Sequence, residues 1–147
     1  MNEIRHRVTL KASPKVLFEA LTEERHVSQW WTPDCSLRAI EGSQAIFHWR
    51  SNKWMVVMRI ARLTPDKEVV WQCEASNMQN TDAWVGTEIR FSITPKDKKH
   101  SDLEFVQSNY PDSPCFQACN DGWARILGDS LKGYLEMGIG RSFSYHG

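Results

Sequence analysis

Residues 113–138, SPCFQACNDGWARILGDSLKGYLEMG, carry the longest helical pattern in the chain. Ser113-Pro114 is typical of a helix start, because serine caps free N–H groups and proline fits the first turn. Gly138 is typical of the residue that follows a helix end. At about 100° per residue, the apolar side chains fall on one side: Phe116, Cys119, Trp123, Ile126, Leu127, Leu131, Tyr134 and Met137. The stretch predicts one amphipathic helix, about 36 Å long.

Three glycines lie inside this helical pattern: Gly122, Gly128 and Gly133. Each costs a helix about 1 kcal/mol relative to alanine, so tertiary packing has to hold the helix together. The glycines therefore weaken the prediction of a perfectly regular helix at these positions.

The residues before this helix read mainly as strands. Six are predicted in the middle of the chain: Cys35–Ile40, Gln44–Trp49, Trp54–Leu63, Glu68–Ala75, Trp84–Thr94 and Asp102–Gln107. A strand at Glu3–Leu10 precedes them, followed by two short helices that start at Ser13-Pro14 and Thr22-Glu23. Short spacers between the strands favour antiparallel pairing. Because a sheet with one apolar face must cover it, we predict an α+β fold with the long helix across a curved sheet of about seven strands.

The composition excludes several classes of function. The chain has 147 residues, which fits one domain (residues 1–147), and 18 Lys plus Arg balance 18 Asp plus Glu. This balance gives no electrostatic reason to expect nucleic acid or an anionic membrane as a partner. No apolar run approaches the ~20 residues of a membrane span, and the N-terminal residues alternate in polarity, unlike a signal peptide. We expect a cytoplasmic protein.

The four cysteines are Cys35, Cys73, Cys115 and Cys119, and none forms a CxxC pair. In a reducing compartment, the expectation is four free, mostly buried thiols. Cys115 and Cys119 lie one helical turn apart, but this spacing alone does not meet the usual ligand patterns of zinc. The sequence therefore predicts neither a metal nor a cofactor.

Several short segments resemble one known family. They are SPKVLFEALT at residues 13–22, the Trp30-Trp31 pair, Gly122-Trp123, and LKGYLEMG at residues 131–138. In order and spacing they are similar to the activator of Hsp90 ATPase homologue 1-like domain, within the START/Bet v 1-like (SRPBCC) superfamily. The resemblance implies a helix-grip fold with a cavity between sheet and helix, and a hydrophobic ligand such as a lipid, sterol or polyketide. The eukaryotic co-chaperone of this family carries a further large N-terminal domain, so we expect its Hsp90 function not to transfer by name alone.

A cavity between helix and sheet would be lined by inward-facing side chains. The residues expected there are Trp31, Phe47, Trp49, Met58, Trp71, Ile89, Phe91, Phe105, Gln107, Trp123, Leu127, Ser130 and Tyr134. Ser130 interrupts the apolar stripe, and its hydroxyl either bonds back to a carbonyl one turn earlier or contacts a ligand. Gln107 is either a satisfied amide near a strand end or a second polar contact. Each tryptophan is either simple core or cavity wall.

No catalytic residue is predicted, because the chain has no GxSxG, GxGxxG, Walker or HExxH motif and no pair of inward carboxylates. Tyr134 is the one candidate acid near the expected cavity. Three hypotheses remain open: non-enzymatic binding of a small, largely hydrophobic molecule; a cyclase, dehydratase or hydrolase using the same cavity; and a chaperone-interaction module like an Hsp90 co-chaperone. An edge strand such as Cys35–Ile40 could also pair across a homodimer.

Overall fold

The computed structural model describes residues 2–139, and its elements follow the predicted order. They are β1 (Asn2–Leu10), α1 (Pro14–Thr22), α2 (Glu24–Trp30), β2 (Asp34–Ser36), β3 (Gln44–Trp49), β4 (Trp54–Thr64), β5 (Glu68–Ser76), β6 (Glu88–Pro95), β7 (Ser101–Tyr110), α3 (Phe116–Arg125), a π-helical segment (Ile126–Leu131) and α4 (Lys132–Met137). Single 3-10 turns occur at Arg50–Asn52 and Met78–Asn80. Within the described residues, no helix is both long and apolar enough to cross a membrane.

All seven strands form one antiparallel sheet, in the order β1-β7-β6-β5-β4-β3-β2. From β2 onward each strand pairs with the next, as the short spacers predict. β1 pairs with the last strand, β7, so α1 and α2 connect the two edges of the sheet. The sheet curves around the helix made of α3, the π-helical segment and α4, which we call the C-terminal helix. The predicted fold class is confirmed.

Alternation in polarity predicted the inward face of most strands correctly. In β4, the side chains of Trp54, Val56, Met58 and Ile60 are buried, as their shared parity indicates. The predicted Cys35–Ile40 strand is shorter than expected, since pairing with β3 stops at Ser36.

The sequence prediction fails for the start of β6. Residues 84–87 form a turn closed by a hydrogen bond from the Thr87 N–H to the Trp84 carbonyl, at 2.9 Å, and Gly86 adopts a φ of 84°. The strand therefore begins at Glu88 instead of Trp84. Val85 shares the parity of Ile89 and Phe91, so a strand that began at Trp84 would turn it inward. It is instead 47% exposed, because the period-two rule does not apply through a turn.

The C-terminal helix is continuous but irregular. It begins at Phe116, two residues after Pro114, because the Phe116 N–H bonds back to the Ser113 carbonyl in a turn. The π-helical segment includes Gly128, one of the glycines that weaken the prediction of a regular helix. Bonds from i to i+5 put more residues in a turn than an α-helix does, and Ile126, Leu127, Ser130 and Leu131 are all buried.

The far end of the helix leaves the core. Met137 was predicted on the apolar stripe and is 74% exposed. The reason is that α4 lies beside the edge strand β1, where Lys132 Nζ donates to the Thr9 carbonyl at 3.2 Å and Glu136 accepts from the Lys11 N–H at 3.1 Å. Gly138 ends the helix in a left-handed conformation, with φ 73°, as predicted.

Trp30 joins three helices. Its indole N–H donates to the Ala20 carbonyl of α1 at 2.8 Å, and its own carbonyl accepts from the Ser130 hydroxyl of the C-terminal helix at 2.6 Å. Both contacts are buried. The side-chain hydroxyl in the middle of the apolar stripe therefore anchors the C-terminal helix to α2.

Replacing Ser130 by alanine removes the hydroxyl that satisfies the buried Trp30 carbonyl. We expect Ser130→Ala to lower the free energy of unfolding by about 1–3 kcal/mol, measured by urea denaturation. Ser92→Ala, on the outward face of β6, is the control and should change that free energy by less than about 0.5 kcal/mol. Equal effects of the two substitutions would contradict a tie between Ser130 and Trp30.

Candidate functional site

A cluster of aromatic rings fills the space between the sheet and the C-terminal helix, with Trp31 at its centre. The Trp31 ring centroid lies 4.5 Å from Phe47, 5.2 Å from Trp49, 5.9 Å from Trp71 and 5.2 Å from Trp123. Trp31 follows α2 directly, so the short helices deliver it to the inner face of the sheet. We call this set of rings, together with Phe91 and Phe105, the aromatic core.

The structure brings most of the predicted cavity residues together in this region. Those with buried side chains are Trp31, Phe47, Trp49, Met58, Trp71, Ile89, Phe91, Phe105, Gln107, Trp123, Leu127 and Ser130. Tyr134 is partly buried and packs against the edge of the same cluster. Their role in contacting a ligand stays a prediction.

A chain of hydrogen bonds crosses the aromatic core. Trp123 Nε1 donates to Gln107 Oε1 at 3.1 Å, and Gln107 Nε2 donates to the Thr87 hydroxyl at 3.1 Å. Thr87 in turn donates to the Trp84 carbonyl at 2.7 Å. Gln107 thus uses its acceptor and a donor inside the protein, which explains how an amide is accommodated with no exposure to water.

Two indole N–H groups at the centre differ from that of Trp123. Within residues 2–139, Trp31 Nε1 and Trp71 Nε1 are buried and have no hydrogen-bond partner, and the same holds for Trp84 Nε1 at the edge of the cluster. The two rings stack at 15° with their centroids 5.9 Å apart. A buried donor without an acceptor costs about 1–3 kcal/mol, so the interior holds polar capacity that the described side chains leave unused.

Trp84 packs against the aromatic core, and the sequence reasoning missed it. Its ring is fully buried and stacks on Trp123 at 16°, with the centroids 6.0 Å apart. In a regular strand, Trp84 would face outward, because its neighbour Val85 would face inward. The turn at residues 84–87 breaks this alternation. The available signal was the residue type, because a tryptophan in a polar loop is more often buried than its neighbours.

Tyr134, the candidate acid, has a partner that the sequence did not reveal. Its hydroxyl lies 2.6 Å from His26 Nδ1, and His26 Nε2 lies 3.8 Å from Glu23 Oε1. This group lies where α2 meets the C-terminal helix, at the edge of the aromatic core. A tyrosine, an imidazole and a carboxylate arranged in a row resemble a proton relay. However, the distance from His26 to Glu23 is too long for a hydrogen bond.

The outward face of the sheet carries charged side chains in shallow clefts. One cleft of about 240 Å³ is lined by Arg59, Arg62, Gln72, Glu88 and Arg90, among others. Arg90 pairs with Glu88 at 3.3 Å and with Glu68 at 3.6 Å. Exposed pairs of this kind contribute about 0–1 kcal/mol each, and they describe a solvated face. Within the described chain, no three His, Cys, Asp or Glu side chains come together as a metal site.

The fold and these contacts agree with comparisons to known proteins. The family model described as activator of Hsp90 ATPase homolog 1-like protein matches residues 11–136. The chain belongs to this family. No protein with a curated description matches the chain. The resemblance carried by residues 13–22 and 131–138 is thereby confirmed.

Solved structures give the same architecture. The Aha1 dimer from Colwellia psychrerythraea is 34% identical, with a TM-score of 0.82, over 95% of this chain and 100% of that one. A START superfamily protein from Mycobacterium smegmatis is 16% identical, with a TM-score of 0.70, over 92% of this chain and 97% of that one. An HSP90 activator from Plasmodium falciparum is 14% identical, with a TM-score of 0.72, over 92% of this chain and 96% of that one. The last two show the fold alone.

The hydrogen bond between Trp123 and Gln107 can be tested by an apolar replacement. Gln107→Leu keeps the volume but leaves the buried Trp123 N–H without its acceptor, so we expect a loss of about 1–3 kcal/mol in the free energy of unfolding. Gln117→Leu, on the exposed face of α3, is the control. Urea denaturation of the single and double variants with Trp123→Phe measures the coupling, and additive losses would contradict the bond.

Proposed function

We propose that this domain binds a small planar molecule, largely apolar and carrying a hydrogen-bond acceptor, within the aromatic core. The observation that carries the proposal is the pair of buried Trp31 and Trp71 N–H groups, which lack an acceptor within residues 2–139. A ligand oxygen within reach of both would remove a cost of about 1–3 kcal/mol for each donor.

The chemistry of the walls supports an aromatic or polyketide-like ligand. Faces and edges of Phe47, Phe91, Phe105 and Trp123 surround the two indole groups, and aromatic pairs gain about 0.5–1.5 kcal/mol beyond their buried area. Gln107 and Ser130 already bond within the protein, so their role is to hold Trp123 and α2 in place. Specificity then rests on the two indole donors.

Binding requires some rings to move, because side chains fill the core. The loop 77–87 that carries Trp84 is the element we expect to open. Gln79 and Asn80 in this loop have φ angles of 58° and 59°, a left-handed conformation that ordinary residues seldom adopt. A hydrogen bond of 3.1 Å from Trp54 Nε1 to Asn80 Oδ1 holds the loop closed. The energy of opening subtracts from the affinity for the ligand.

A matched pair of probes tests the requirement for an acceptor. Flavone has fused aromatic rings and one carbonyl oxygen, whereas flavan lacks the carbonyl. We expect flavone to quench the intrinsic tryptophan fluorescence and to bind about 10-fold more tightly than flavan, as one added hydrogen bond allows.

The variants Trp71→Phe and Trp54→Phe complete this test. Trp71→Phe removes one central donor and should abolish the preference for flavone, while Trp54→Phe removes an indole outside the aromatic core and should keep it. Equal binding of the two probes by the unmodified protein would contradict the proposal. The proposal would also be contradicted if neither probe bound and native mass spectrometry found no co-purified small molecule.

A second candidate function is regulation of an Hsp90-type chaperone. It is favoured by the 34% identity to the Colwellia psychrerythraea protein that is described as Aha1. The outward face of the sheet, with Arg59, Arg62 and Arg90 among carboxylates, offers a polar contact surface for such a partner. An interface of this kind depends on ionic strength, since salt screens charges beyond about 10 Å at 0.1 M.

The chaperone's ATPase rate, measured with and without this protein, tests the second candidate. We expect the protein to stimulate the ATPase, and we expect this stimulation to fall as salt is raised. Arg90→Glu should also reduce the stimulation, because it reverses one charge on the outward face. Lys15→Glu, on α1, is the control with the same charge change and should leave the stimulation intact. An ATPase rate that does not respond to the unmodified protein would remove this candidate.

The proposal also covers the assembly of the protein and its cellular location. Because the Colwellia relative is described as a dimer, we include a homodimer in the proposal, with the edge strands β1 and β2 as candidates for pairing. All four cysteines are free thiols, which supports the proposed cytoplasmic location.

A further inference from the structure

One part of the outward face of the sheet is apolar. Strand pairing places Ile46 of β3 opposite Val57 of β4, and Val57 opposite Ala75 of β5. Directly opposed side chains share a face, and these three are partly exposed, whereas the residues next to Ile46 and Val57 in sequence are buried on the inner face. Met55 lies on the outward face as well and is 40% exposed. We call Ile46, Met55, Val57 and Ala75 the outer apolar patch.

Val106 of β7, on the same outward face, shows the contrast with this patch. It lies opposite Arg5 of β1 and Arg90 of β6, in a shallow cleft that Glu3 and Glu104 also line. A single apolar side chain among charges is normal on a protein surface, whereas a contiguous group is a candidate interaction site. The outer apolar patch is therefore suited to a partner that brings an apolar face of its own.

The rim of the outer apolar patch carries both signs of charge. At one end, Arg59 Nε lies 4.0 Å from Glu74 Oε2. At the other end, Arg50 pairs with Asp34. A two-fold axis brings identical surfaces together, so a rim of one sign would repel its own copy. The two ion pairs balance each other, and a second copy of the chain can approach without that repulsion.

The strand edges are less suited to joining two copies. An edge joins chains through free backbone groups. The N–H groups of Asp34 and Leu37, at the start of β2 and just after its end, donate to Thr32 Oγ1 at 3.4 Å and to Glu24 Oε1 at 3.1 Å. Side chains of α4 bond to backbone groups at the end of β1. A contact between two sheet faces avoids breaking these hydrogen bonds.

We propose that the outer apolar patch is the contact surface of a homodimer, in which a second copy of this chain lays the same patch against it about a two-fold axis. The inference rests on the homodimer included in the proposed function and names its surface. Standard interfaces bury about 800 Å² on each partner, which is more than four side chains offer, so the charged rim takes part in the contact. We expect a dissociation constant on the order of micromolar.

Sedimentation velocity over a range of protein concentrations tests this surface. We expect a monomer–dimer equilibrium for the unmodified chain. Val57→Glu should weaken association by about 100-fold or more, because the two-fold axis brings both new carboxylates into one apolar contact. Val106→Glu is the matched control, with the same substitution on the same face beside two arginines. It should change the dissociation constant by less than about 2-fold, and urea denaturation verifies the fold of both variants.

Nuclear magnetic resonance locates the contact without any substitution. In a mixture of isotope-labelled and unlabelled protein, isotope-filtered spectra detect only contacts between copies. We expect such contacts for the methyl groups of Met55 and Val57, and none for those of Val106. Contacts from Val106 without contacts from Val57 would overturn the proposed surface.

The outcomes separate the surface from the dimer itself. A chain that stays monomeric at every concentration would remove the homodimer from the proposed function and this inference with it. A dimer that Val57→Glu leaves intact, or that Val106→Glu disrupts equally, would keep the homodimer and overturn the surface. Stimulation of the chaperone's ATPase by a monomeric chain, if lost in Val57→Glu, would assign the patch to the chaperone and overturn the inference.

Discussion

Burying an indole ring removes its N–H group from water, and the protein then has to supply an acceptor in its place. With seven tryptophans in 147 residues, much of this structure depends on how that requirement is met. Trp30 uses a carbonyl of α1, Trp54 uses the Asn80 side chain, and Trp123 uses Gln107. These three bonds hold, respectively, the two short helices, the loop 77–87 and the C-terminal helix. Trp31, Trp71 and Trp84 are cases in which the described chain supplies no acceptor.

The parts of the fold that could be predicted from sequence are those that depend on local periodicity. Ile89, Phe91, Phe105 and Gln107 are buried because β6 and β7 are regular strands, and in a regular strand alternate side chains share a face. The long helix could be predicted for the same reason, with a period of 3.6 residues. The predictions failed where the backbone departs from a regular period. These places are the turn at residues 84–87 and the exposed end of the helix at Met137.

Long-range partners were the second limit of sequence reasoning. Ser130 was recognised as an unusual residue in an apolar stripe, but its partner is the Trp30 carbonyl, 100 positions away. His26 escaped notice because its significance comes from Tyr134, on another helix. Such pairs form only when the sheet and helices have set the distances between elements. A pattern in one segment can therefore indicate that a polar group needs a partner, but not which residue provides it.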